Sequence, residues 1–203
     1  MENYELNLPN LGILTSKVHD TLFNKLKIEC LNFLKKEKMI SGLTSNGVAE
    51  HYFLKDNNVE LFDFLSKWVK IYNEKYNYFK FFKFLNKNAP LIFQKPWFNI
   101  QKKGEFIPNH THDGILSYSI WIQIPLLNKI HNNKFASCFE IQYQNILGTS
   151  CQKLISLDKN SEGSFVLFPS ILPHCVYPFF DSEELRISIS GNICLDNLIK
   201  DNT

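Results

Sequence analysis

The chain has 203 residues, 44% hydrophobic and 14% aromatic, which is enough apolar material for one globular domain and rules against disorder. A formal charge of +2, with 21% charged residues, gives no field strong enough to argue for a nucleic-acid or anionic-membrane partner. The cysteines Cys30, Cys138, Cys151, Cys175 and Cys194 are scattered without a C-x-x-C pair, which argues against a disulfide scaffold or structural zinc and fits reduced thiols in a cytoplasm.

Residues 1–9 carry Glu2 and Glu5 and no apolar run, so no secretory leader is expected. No stretch approaches the roughly 18 apolar residues of a membrane span. Over 15–38, Val18, Leu22, Leu26, Cys30, Phe33 and Leu34 recur at helical spacing, with Thr15 or Ser16 as candidate caps. Residues 41–47 read as a loop. A second helix is predicted over 57–86, with Leu61, Phe64, Leu65, Trp68, Ile71 and Tyr72 on its stripe. Beyond Leu91 the pattern changes to short segments that alternate with period two, at 97–101, 117–124, 139–143, 153–157, 164–168 and 186–193. So many short strands predict an antiparallel sandwich or barrel. The fold class is α+β, one domain over 1–203. Its helical part is 1–90 and its β core 91–195, with the helices covering one β face.

Chemistry concentrates in the β half. His110 and His112 occupy alternate positions before the strand at 117–124, so on extended backbone both can face one pocket, while Asp113 points away unless the chain turns there. His174 follows the strand at 164–168 and its turn. Two neighbouring imidazoles and a distant third suit a transition metal; taken alone, the His-x-His pair reads equally well as two solvated surface histidines. Among 22 basic residues the lone arginine, Arg186, shares a strand face with Ser188. A guanidinium and a hydroxyl facing inward form a carboxylate site; the plainer reading pairs Arg186 with Asp181, Glu183 or Glu184 at the surface. A metal with open positions beside an inward cation suits a 2-oxo acid with a distal carboxylate, and oxygen as the second co-substrate. Cys175, next to His174 on a strand, points to the opposite face and is not read as a nucleophile. The strand at 117–124 offers the barrel interior either Ser117, Ser119, Trp121 and Gln123, or Tyr118, Ile120 and Ile122; burial alone favours the second set. Asn99 and Trp121 are further pocket candidates. His19, His51 and His131 read as surface or satisfied side chains. Loops 125–138 and 144–152 are candidates for substrate selection.

At residues 97–125, WFNIQKKGEFIPNHTHDGILSYSIWIQIP, and 162–193, EGSFVLFPSILPHCVYPFFDSEELRISISGNI, the chain resembles the 2-oxoglutarate/Fe(II)-dependent oxygenase superfamily, in the form found in phages and marine bacteria. The resemblance implies a double-stranded β-helix, or jelly roll, of eight antiparallel strands, with iron at the open end. It implies Fe(II), 2-oxoglutarate and O2 as cofactors, His174 as the distal ligand, and Arg186 with Ser188 on the distal carboxylate of 2-oxoglutarate. Superfamily members usually supply His-x-Asp or His-x-Glu, whereas this chain reads His110-Thr111-His112. His110, His112 and His174 are the favoured ligands; alternatives are Asp113, or His112 with a water at the Gly114 position. The expected activity is hydroxylation of an unidentified organic or peptidyl substrate with release of succinate and carbon dioxide. The competing readings are a three-histidine cupin-like dioxygenase that does not use 2-oxoglutarate, and a non-catalytic jelly-roll binding module.

Overall fold

Antiparallel pairing builds two sheets, and the helices lie on the outer face of the larger one. The computed structural model describes residues 11–36, 47–55, 58–81, 91–127 and 133–195. In chain order the elements are β1 (Leu14–Lys17), α1 (Asp20–Lys36), β2 (Glu50–Phe53), α2 (Val59–Tyr76), β3 (Leu91–Phe93), β4 (Trp97–Gln101), β5 (Ile107–His110), β6 (Leu116–Gln123), β7 (Cys138–Gln144), β8 (Ser150–Ser156), β9 (Ser164–Pro169), β10 (His174–Val176) and β11 (Arg186–Leu195). The large sheet runs β1-β9-β6-β11-β4-β2, with β3 also on β11; the small sheet runs β5-β10-β7-β8. Strands β4 to β11 divide between the two sheets in the manner of a double-stranded β-helix, four to each, with the consecutive pair β7 and β8 both in the small sheet, and β1, β2 and β3 extend the large sheet.

The first predicted helix starts later than its apolar spacing suggested. Leu14 to Lys17 are a strand, because they pair with Leu167 to Ser164 at the sheet edge. The α1 cap is His19, whose Nδ1 accepts a hydrogen bond from the Leu22 N–H at 3.3 Å, and neither Thr15 nor Ser16 serves. The second helix ends at Tyr76, where Asn77 takes the left-handed conformation at φ 48° and its N–H bonds the Asn73 carbonyl. A short 3-10 turn, Tyr78–Phe81, follows. The predicted end of this helix at residue 86 falls outside the described residues, as does most of the loop at 41–47. Ile71, placed on the buried stripe by spacing, is exposed; Leu61, Leu65, Val69 and Tyr72 are the buried ones.

The main core lies between the helices and the large sheet. Leu22, Leu26 and Cys30 of α1 and Leu61, Leu65 and Tyr72 of α2 meet Tyr118, Ile120 and Ile122 of β6, Phe165 and Leu167 of β9, and Ile187, Ile189 and Ile193 of β11. Each fully buried aliphatic or Phe side chain contributes about 1.5–3 kcal/mol by leaving water. Gly191 has a packing reason: a Cβ there would lie 2.5 Å from the Tyr118 hydroxyl oxygen, so only glycine admits the ring. A second, smaller core, with Trp121, Phe139, Ile141, Val166 and Phe168, fills the space between the sheets. Among the described residues no helix is long and apolar enough to cross a membrane.

Candidate metal and co-substrate site

Register brings the histidines together. On the small sheet β10 lies between β5 and β7, and His174 pairs directly with His110 on one side and Ile141 on the other. A slip of one residue would turn His174 outward, so the pairing itself specifies the site. His112 follows β5 and is fixed by its backbone N–H on the Ser170 carbonyl at 3.0 Å. The candidate ligand atoms of His110, His112 and His174 all lie within 4.8 Å of one another. Asp113 is exposed and outside this group.

The donor set suits a divalent transition metal. His110 Nδ1 lies 2.7 Å from the Pro108 carbonyl and His174 Nδ1 lies 2.9 Å from the Leu172 carbonyl. A carbonyl only accepts, so the proton sits on Nδ1 and Nε2 keeps its lone pair for a metal. Burial is the largest cause that lowers the pKa of His112, to about 4, and that of His174, to about 3; neighbouring imidazoles add to both. Both rings are therefore neutral near pH 7, the form that ligates. Phe168 stands edge-on to His174 at 4.8 Å between centroids, and Trp97 lies 5.8 Å from His112.

The three rings share a small cavity of about 40 Å³ with Asn99, Ser188, Ser190, Ser119 and Trp121. The more polar set of β6, Ser117, Ser119 and Trp121, therefore faces the barrel. Burial alone favoured the opposite choice. That reading fails because the helices bury the outer face more thoroughly, and the apolar set is needed there. The serines are satisfied: Ser119 Oγ is 2.9 Å from Ser190 Oγ, and Asn99 Nδ2 donates to Ser190 at 3.2 Å and, more weakly, to Ser188 at 3.4 Å. Beside them Ser117 Oγ lies 2.8 Å from Ser170 Oγ and 2.9 Å from Asn192 Oδ1. The roles of Ser190 and Trp97 at the cavity were not read from the sequence, although their alternation with Ser188 and Asn99 carried the signal.

Arg186 lies on the same face of β11 as Ser188 but does not line that cavity; it is one pleat further along. It is only 2% exposed, so surface pairing with Glu183 or Glu184 does not occur; Glu183 instead binds Lys103. Nε donates to Gln101 Oε1 at 3.1 Å, Nη1 to Ser137 Oγ at 3.0 Å and Nη2 to the Tyr177 carbonyl, while the Phe179 ring lies 5.1 Å from the guanidinium carbon. Ser137 reaches this position from a left-handed φ of 56°, strain of about 1–3 kcal/mol that its own hydrogen bond to Leu157 O helps to hold. These partners are all uncharged. Burial lowers the Arg186 pKa to about 9, so the group is still a cation at neutral pH. A buried cation with neutral partners is costly unless an anion completes it.

A wider cleft of about 640 Å³ opens beside the imidazoles. Phe53, Trp97, Ile107 and Pro108 line it, with His110 and His112 at its base, and His51 and Lys95 bring polar groups to it. His51, read as a surface side chain, is exposed, but it faces this cleft. His19 is satisfied as a helix cap. His131 lies outside the described residues.

The fold is a double-stranded β-helix in which three clustered histidines could hold a metal ion. Residues 95–192 match the family described as "Putative 2OG-Fe(II) oxygenase". Over that segment the chain is similar to the 2-oxoglutarate/Fe(II)-dependent oxygenases, and its three clustered histidines fit Fe(II). No curated protein matches by sequence. Among solved structures, a prolyl-4-hydroxylase from Pseudomonas putida is similar at TM-score 0.54 and 12% identity, covering 91% of this chain and 92% of that one. The viral collagen prolyl hydroxylase of Paramecium bursaria Chlorella virus-1 gives TM-score 0.51 and 13% identity, covering 89% and 94%. The carbocyclase SnoK of nogalamycin biosynthesis gives 0.55 and 10%, covering 92% and 80%. At these identities the likeness is one of fold.

Proposed function

We propose that the chain hydroxylates an organic substrate, converting it with 2-oxoglutarate and O2 into the hydroxylated product, succinate and carbon dioxide. The observation that carries this reading is the pairing of three clustered imidazoles with a buried guanidinium that has no anionic partner among its hydrogen bonds. His110, His112 and His174 would hold the iron, which supplies the activation of oxygen when bound. Arg186 would bind the distal carboxylate of 2-oxoglutarate through its remaining N–H groups, and Ser188 would add a hydroxyl. Asn99 holds the serine pair on β11 in place, and Trp121 shields the cavity from water between the sheets. A peptidyl or prolyl residue is a substrate consistent with the prolyl hydroxylases of the same fold.

Three imidazoles leave more positive charge on iron than a set containing a carboxylate, and that favours a second reading, a cupin-like dioxygenase without 2-oxoglutarate. The two readings differ at Arg186. Iron-loaded protein should form succinate from 2-oxoglutarate in air, and Arg186→Ala should lower that turnover by roughly a hundredfold, the order of losing a charge-assisted contact of about 3 kcal/mol. Oxygen uptake by the parent protein without succinate would favour the cupin-like reading.

A further inference from the structure

The wide cleft over the imidazoles is walled by both sheets. His51 pairs with Asn99, and Phe53 with Trp97, so all four share the face of the large sheet that carries Ser188 and Ser190. Ile107 and Pro108 of β5 form the opposite wall. The segment leading into β2 closes one side. Val48 bridges to Phe106, the Ala49 N–H donates to the Phe106 carbonyl at 3.0 Å, and the Phe106 N–H donates to the Gly47 carbonyl at 3.1 Å. The cleft is therefore an enclosure with its own walls, and about 640 Å³ suits one small organic molecule.

Chemistry is ordered along the large-sheet wall. The Lys95 ammonium lies 5.6 Å from the centre of the Phe53 ring, Phe53 stands directly across from Trp97, and the Trp97 ring is 5.8 Å from that of His112. Two aromatic side chains thus separate the ammonium from the imidazole, on the order of 10–15 Å with cross-strand neighbours about 5 Å apart. Lys95 has no ion pair among the described residues, and no carboxylate among them lines the cleft. Gln94 is fixed on Asn192: its backbone N–H donates to the Asn192 carbonyl at 3.0 Å, and its Oε1 accepts from Asn192 Nδ2 at 3.1 Å. That leaves the Gln94 Nε2 group as a donor without an acceptor among the described residues. His51 adds a ring N–H whichever nitrogen carries it. Unmatched donors, one of them a cation, beside an apolar wall complement an oxyanion on an apolar body.

We infer that the substrate is a small apolar acid, whose carboxylate or phosphate is held by Lys95 and the Gln94 amide while its body lies along Phe53 and Trp97 and brings the reacting carbon over His110 and His112. This rests on the hydroxylase reading above and names its substrate class. The occupant is tied to the metal site by the cleft itself, since the wall that carries the ammonium ends on two of the three clustered histidines. The acid group sets the length of the molecule that fits: a body of about two rings between the oxyanion and the carbon that gains one oxygen.

The test has a binding arm and a turnover arm, both on the full chain. For binding, the protein is loaded with 2-oxoglutarate and Zn(II), which ligates imidazole without redox chemistry. Calorimetry at low ionic strength then compares phenylbutanoate, decanoate and phenylbutyl phosphate with phenylbutanamide, decanamide and phenylbutylamine. Each oxyanion should bind roughly fivefold more tightly than its matched amide, and the carboxylate or the phosphate that gains more identifies the natural acid group. Lys95→Met should bring acid and amide within about twofold, and Lys95→Glu should make the amine the tightest binder. For turnover, Fe(II) replaces zinc in air, mass spectrometry reads the addition of one oxygen, and succinate is measured with and without each compound. Oxygen addition to the acids ahead of the amides is the expected result. Equal binding of acids and amides by the parent, a preference unchanged in Lys95→Met, or succinate formation with no acid oxidised would each overturn the inference. Absence of any succinate would instead defeat the hydroxylase reading, and the zinc comparison would still decide the acid site.

Discussion

On β6 the residues Tyr118, Ile120 and Ile122 face the helices, and Ser117, Ser119 and Trp121 face the small sheet. Most members of both sets are hidden from water. The outer face gains its stability from apolar area removed from water. The inner face relies on paired hydroxyls, amides and one indole, which is a weaker source of stability but a usable lining for a metal and a carboxylate. The same strands therefore carry stability on one side and chemistry on the other. In a sheet buried on both faces, hydrophobicity locates the structural core and polarity locates the site.

The comparison breaks most visibly through a large side chain on the outer face. Phe165 is fully buried and meets both Phe64 and Trp68 edge-on at about 5 Å. Phe165→Ala should cost ~3–5 kcal/mol in urea unfolding, while Ser119→Ala on the inner face should cost at most about 1 kcal/mol. Equal losses at the two positions would show that the faces are not energetically distinct.

A smaller effect sharpens how the helical layer is tied down. Glu162 accepts from Lys27 of α1 at 3.1 Å, from Lys159 at 2.8 Å and from the Ile124 N–H at 3.0 Å. Burial alone would raise its pKa, but the hydrogen bonds from Lys159, Ile124 and Lys27 outweigh it, and the net shift is downward. A lowered carboxylate pKa adds stability that is complete above the ordinary carboxylate range and is lost as pH falls through the lowered value. Glu162→Gln should cost about 1 kcal/mol at pH 7, with the two proteins converging in acid. A difference that grows on acidification would contradict this assignment.

The smallest expected effect concerns the one inconsistency on the outer face. The Tyr118 hydroxyl is buried without a hydrogen-bond partner among the described residues. Its burial holds the pKa well above the usual phenol range, so it is never an anion in practice. Tyr118→Phe should be neutral or stabilising by up to about 1 kcal/mol. A clear loss of stability would mean that the hydroxyl has a partner after all.

Much of this was legible in the sequence. The strands at 97–101, 117–124, 139–143, 153–157, 164–168 and 186–193 are present with ends shifted by at most three residues, and the first of them not at all, since alternation survives where one face is uniformly apolar. The strands β1, β2, β3, β5 and β10 were not legible: at three or four residues they are too short for a period to emerge, and tertiary pairing alone defines them. His110 and His174 could be named, but their direct opposition depends on the β5–β10 register, which no local pattern encodes. Arg186 was identifiable as an inward group from its place two residues before Ser188. Its partners Gln101, Ser137 and Tyr177 come from three other segments, and nothing in their local sequence announces the meeting.

The central claim concerns metal held by three imidazoles, and anaerobic iron loading followed by elemental analysis tests it most directly. About one Fe(II) per chain is expected in the parent protein, falling to a small fraction in a stably folded His174→Ala variant, with Asp113→Asn unchanged. A folded parent that takes up no iron, or a His174→Ala variant that takes up as much as the parent, would contradict the account.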